Sequence, residues 1–196
     1  MAGAKALVAA AQMLVLALPL AGQLIERRGG VVVLSDGQVF TGSIYYPQGF
    51  DMIFLRTDDG RIALSAAKIQ LFRYYDSSAQ INRKFISIKK DESDSRIYEV
   101  VAGGEVAVLR VLKRHAGAVH PDEIDSYDYF TYTKGMLEPI AHFRNKVFPK
   151  ILEDQPIEIQ AYVHREGLDP CEMKSALLII AEFNRIKQGD LHARAD

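Results

Sequence analysis

From Gly30 to Tyr75, apolar and polar residues alternate with a period of two between evenly spaced turn residues. That rhythm predicts five strands, Val31–Leu34, Val39–Tyr46, Met52–Thr57, Arg61–Leu64 and Ile69–Tyr75. Ser35-Asp36-Gly37, Pro47-Gln48-Gly49 and Asp58-Asp59-Gly60 supply the turns, because glycine takes positive φ there without steric cost. Phe40, Gly42, Ile44 and Tyr46 share one face of the second strand, and Ile53 with Leu55, then Ile62 with Leu64, extend an apolar face. Gly42 inside a strand predicts a bend or bulge, and Ser65-Ala66-Ala67-Lys68 predicts one helical turn before the fifth strand. The five strands are expected to make a small barrel.

The alternation resumes after Asn82 with strands expected at Lys84–Lys89, Ile97–Val101, Val106–Lys113, Tyr127–Thr133 and Met136–Ile140. Gly103-Gly104 and Lys134-Gly135 mark hairpin turns, so this part reads as an antiparallel meander. Beyond Ile140 the period becomes helical. A first helix over Ala141–Val147 is expected to kink or end at Pro149, and a second to begin near Pro156. Asp169-Pro170-Cys171-Glu172 resembles a capping box, with Asp169 as the cap, ahead of a stripe formed by Met173, Ala176, Leu177, Ile180 and Phe183. The fold class is therefore mainly β with C-terminal α-helices (α+β), a five-stranded barrel followed by an antiparallel meander and a helical tail. The expected divisions are 1–22, a β module at 23–82, a β-sheet at 83–140, a helical region at 141–188 and a polar tail at 189–196.

The first 22 residues differ from the rest in composition. Lys5 is their one charge, an apolar run from Ala6 to Leu18 is interrupted by Gln12, and Pro19, Ala21 and Gly22 follow. A cation, an apolar middle and a small-residue end are the parts of a signal peptide, so cleavage is expected before Gln23 or one residue earlier. The run is shorter than the roughly 20 residues that span a bilayer, so no integral membrane span is expected in the mature chain. Gln23 stands where a lipoprotein would carry cysteine. The expected location is periplasmic or extracellular, in soluble form.

Hydrophobic residues at 48% and charged residues at 25% place the chain among globular proteins with a core. The net charge of −1 gives no overall pull toward nucleic acid, which is not an expected partner. Cys171 is the single cysteine, so an internal disulfide is excluded and stability must come from packing.

Strand, Asp36-Gly37, strand with Gly42, strand, Asp59-Gly60, strand, short turn, strand resembles an SH3-like or Sm-like small barrel. More widely, the N-terminal signal pattern, this module, Arg83-Lys84-Phe85, Tyr98-Glu99-Val100-Val101 and Tyr127-Asp128-Tyr129-Phe130 resemble uncharacterised exported proteins of Bacteroidetes-type bacteria. That resemblance implies export and carries no activity with it.

Candidate chemistry is sparse. The segment from Arg114 to Asp125 gathers His115, His120, Asp122, Glu123 and Asp125, ligand types that zinc uses, at a spacing that matches no metal motif. Cys171 sits near an expected helix start, where amide dipoles favour a thiolate, but Glu172 opposes this and no histidine lies beside it in sequence. His142, His164 and His192 are isolated. There is no Gly-x-Ser-x-Gly elbow and no phosphate loop. No catalytic, cofactor-binding or metal residue is assigned, and no cofactor is expected. In the strand Tyr127–Thr133, Tyr127 and Tyr129 share one face and Phe130 and Tyr132 the other, so Tyr127 and Tyr129 are the candidate binding surface. The sequence favours a non-enzymatic binding or interaction module of the envelope or surface, with another envelope protein, a peptide or a glycan as partner. The alternative is an exported hydrolase or metal-dependent protein whose site is assembled from distant residues.

Overall fold

The computed structural model describes residues 28–89, 94–113 and 126–193. The signal-like segment at 1–22 and the His115 and His120 segment lie outside the described residues.

Ten antiparallel strands form one sheet: β1 Arg28–Leu34, β2 Val39–Tyr45, β3 Met52–Thr57, β4 Gly60–Ser65, β5 Ile69–Asp76, β6 Ile81–Lys89, β7 Ser95–Ala102, β8 Ala107–Leu112, β9 Tyr127–Thr133 and β10 Met136–Pro139. Their order is β10-β9-β8-β7-β6-β5-β1-β2-β3-β4. A single 3-10 turn, Ala66–Lys68, separates β4 from β5 at the expected place.

The expected closed barrel is not formed. Closure would require the free edge of β4 to pair with β5, but β5 already has β1 on one side and β6 on the other. Because β6 takes the edge that closure needs, the sheet stays open and continues into the second half of the chain. Gly42 likewise does not mark a bulge. It sits in unbroken register opposite Gly30. Its reason is close approach: a Cβ at Gly42 would overlap the Arg56 carbonyl, and one at Gly30 would overlap the Arg73 carbonyl.

One sheet face is buried along its length in two parts. In the N-terminal half, Val32, Ile44, Ile53, Leu55, Leu64, Phe72, Phe85 and Ile97 form a core. The Phe72 and Phe85 rings stack at 4.6 Å, and Tyr46 meets Phe85 edge-on at 5.1 Å. Each such ring contributes on the order of 2–3 kcal/mol through burial.

In the C-terminal half the same face is covered by helices: α1 Phe148–Asp154, α2 Pro156–Glu166 and α3 Met173–Ala193. Val106 from the β7–β8 turn and Val108, Tyr127 and Tyr129 from the sheet pack with Phe143, Val147, Ile151, Ile159, Ile180 and Phe183. The stripe read from the sequence is thus the sheet-facing side of α3, with Ile179 added to it.

Two helix boundaries differ from expectation. Pro149 does not end a helix; a π-helical turn over Phe143–Val147 leads into α1, which carries Pro149 in its first turn, where a missing N–H costs least. The expected capping box is also displaced. Asp169 Oδ1 accepts the Cys171 N–H at 2.9 Å in a local turn, and α3 begins only at Met173. This short-range bond competes with a helix start at Pro170.

α3 is tied to the sheet by one buried side chain. The Asn184 carboxamide donates to the carbonyls of Gly103 at 3.3 Å and Val106 at 2.8 Å, and accepts the Val106 N–H at 3.0 Å. It therefore satisfies the turn that joins β7 to β8.

Candidate functional site

Tyr127 and Tyr129 are not at the surface. They are 6% and 8% exposed, because the face they occupy is the one covered by the C-terminal helices. The proposed aromatic binding surface is corrected accordingly: these rings are core. Burial pushes the Tyr127 hydroxyl pKa up, partly offset by the Arg110 guanidinium, which lies 4.2 Å from the ring centroid.

Cys171 is exposed, and its Sγ accepts a hydrogen bond from Arg144 Nη1 at 3.0 Å. His142 faces Glu138, with Nδ1 3.6 Å from Oε2. Thus the thiol and His142 each have their own neighbour in the fold. Among the described residues no group of three or more His, Cys, Asp or Glu side chains is placed to hold a metal ion.

A largely buried chain of charges runs between the core of the N-terminal half and the core under the helices. Arg83 Nε donates to Asp76 Oδ2 at 2.6 Å and Arg83 Nη1 to Glu99 Oε1 at 2.6 Å, while Arg110 Nε donates to Glu99 Oε2 at 2.8 Å. Glu99 thus divides its two oxygens between two guanidiniums. Arg83 stands opposite Tyr74, Glu99 opposite Phe85 and Arg110 opposite Glu99, so the register of β5 to β8 aligns them on the inner face. Asp76 also accepts from the Ser78 hydroxyl at 2.6 Å. Burial lowers the guanidinium pKa values, but the carboxylate hydrogen bonds outweigh it and both arginines are held above their ordinary value. Such saturated pairing suits a structural clamp better than proton transfer.

The sequence held a signal for this chain. Period two places Arg83 with Phe85 and Glu99 with Ile97 on an inward face, and charges at inward positions need partners.

A groove of about 1020 Å³ lies at the far end of the same face. The β7–β8 turn forms one wall through Gly104, Glu105 and Val106, and the β9–β10 hairpin another through Thr133, Lys134 and Met136. Val147, Lys150, Ile151, Glu153 and Asp154 line it from α1 and the turn before it, and Phe183, Asn184, Lys187 and Gln188 from α3. Its floor is apolar where Val147, Ile151 and Phe183 approach the sheet. Its rim carries both signs, with Lys187 Nζ 2.8 Å from Asp154 Oδ2. Met136, 45% exposed, adds an adaptable apolar contact. β10, the outermost strand on this side, borders the groove and has β9 as its one neighbour in the described sheet.

No family model, curated protein or solved structure matches this chain. No described helix is long and apolar enough to cross a membrane.

Proposed function

We propose that the protein is a non-enzymatic interaction module acting outside the cytoplasm, which holds an extended segment of a partner protein in the groove between α1, α3 and the β7–β8 and β9–β10 hairpins. The observation that carries this reading is the combination of an apolar floor, a rim with both charge signs and, on one border, Met136 of the terminal strand β10. An extended peptide uses all three: its backbone pairs with an edge strand, alternate side chains enter the floor, and its charges meet the rim. The buried carboxylates support the same reading, because Asp76 and Glu99 are already engaged by arginines. The signal-like segment and the resemblance to exported bacterial proteins support the location.

Site-specific photocrosslinking tests the groove. A crosslinker at Met136 should capture a partner protein from the native envelope, and excess wild-type protein should compete for it. A variant with the groove filled by Thr133→Trp should not compete. Equal competition by that variant would place the partner elsewhere.

A further inference from the structure

The opposite, outer face of the N-terminal half carries an arrangement that folding alone does not favour. Arg56 on β3 stands directly across from Arg61 on β4, and Arg73 on β5 directly across from Lys84 on β6. All four side chains are exposed. None forms an ion pair with a described carboxylate. Like charges directly opposite on a sheet are destabilising, so two such pairs on one face are a cost with no return among the described residues.

The register links the pairs. One row runs Arg61, Arg56, Ser43, Gly29 across β4, β3, β2 and β1, and the neighbouring row runs Thr41, Val31, Arg73, Lys84 across β2, β1, β5 and β6. Small side chains fill the middle, and cations stand at the two ends. Three inter-strand spacings separate β3 from β5, roughly 14 Å at about 4.8 Å each. Beside each pair is an exposed ring on the same face: Phe54, stacked on Tyr45 at 6.0 Å, two residues from Arg56, and Tyr75 two residues from Arg73.

We propose that this face is a docking surface for an anionic polysaccharide. Guanidiniums pair with carboxylate or sulfate in a forked geometry, and separated cation pairs select a polymer with repeated charges over a single anion. The small-residue centre leaves room for the polymer to lie across the strands, and the flanking rings offer faces for sugar rings. A nucleic acid is the less fitting polyanion, since the whole chain has a net charge of −1 and this face supplies two short cation pairs rather than a continuous basic track. The surface is separate from the groove, and its test does not depend on the groove.

Titration calorimetry of the full chain with polygalacturonate and with heparin fragments, at low and at roughly 0.15 M salt, tests the proposal. Binding to at least one polysaccharide should weaken with salt. Arg56→Ser with Arg61→Ser, and Arg73→Ser with Lys84→Ser, should each lower affinity about tenfold or more. The same double variants should melt at an equal or higher temperature than the parent, because each removes a like-charge pair, which separates lost binding from lost folding. Absence of binding at low salt, or unchanged affinity in both double variants, would overturn the proposal. Tighter binding to phosphatidylglycerol vesicles or to a single-stranded oligonucleotide than to either polysaccharide would overturn it in favour of that partner.

Discussion

Gly104 leaves just enough room for Asn184: a Cβ at position 104 would overlap the Asn184 carboxamide, and Gly104 itself has φ +143°, a conformation that side chains rarely adopt. The Asn184 side chain cannot move aside freely, since three hydrogen bonds hold it to Gly103 and Val106. Gly104→Ala should therefore lower the melting temperature through backbone strain and through displacement of α3 from the hairpin. Asn184→Ala should lose about 3 kcal/mol in urea denaturation, because it leaves polar backbone groups of the turn without partners. A loss below about 1 kcal/mol for Asn184→Ala would show that water replaces the carboxamide there.

The facing glycines of β1 and β2 give a second test. Gly42→Val should destabilise by about 3 kcal/mol or more, because the clash is with the backbone of Arg56 rather than with a flexible side chain. Gly29→Ala is the control. Nothing lies within 4 Å of a Cβ at that position, so its melting temperature should stay close to the parent's.

Glu99 joins Arg83 to Arg110, so its removal takes the carboxylate partner from Arg110 and leaves Arg83 with Asp76 alone in a largely buried strip. Glu99→Ala should cost about 3–5 kcal/mol, and Glu99→Gln less, since the amide oxygen still accepts one hydrogen bond. Losses below about 1 kcal/mol for both variants would mean that the charge chain contributes little to folding.

Alkaline stability follows from two tyrosines. Burial raises the hydroxyl pKa values of Tyr46 and Tyr127 above the ordinary 10.0 in the folded protein. The folded state thus keeps protons that the unfolded chain loses, so this contribution is fully present below pH 10 and declines as pH rises toward the folded values. Denaturation midpoints measured between about pH 9 and 11 should fall, and Tyr46→Phe should flatten the fall. A midpoint independent of pH over that range would contradict the burial of both hydroxyls.

Strand positions in the N-terminal half were readable because β2 to β5 each bury one face, and period two marks such a segment without tertiary information; in β7 to β9 both faces carry buried apolar residues, and the turn residues marked the strands instead. Closure was not readable. It depended on whether β4 or β6 takes the second edge of β5, and both are alternating strands separated from β5 by short connections. The burial of Tyr127 and Tyr129 was hidden for a similar reason: Ile151, Ile180 and Phe183, which pack in the same core, come from helices later in the chain. Local alternation distinguished the two faces of β9 but carried nothing about which one α3 would cover. Arg83 and Glu99 stood at inward positions in plain view, yet their pairing needed the register of β6 with β7. The groove depends on four separate segments meeting at one end of the sheet, so no single stretch of sequence announces it. At Asp169 the residues suited a helix cap and a local turn alike, and the turn formed.

The central claim, a partner segment held in the groove, is tested most directly by amide hydrogen exchange of the protein with and without the purified partner captured from Met136. Binding should slow exchange in the β7–β8 turn at 103–106, in β10 at 136–138 and along 183–188 of α3, while β3 and β4 exchange unchanged. Partner-dependent protection confined to β3 and β4, or no protection at the groove, would contradict the assignment.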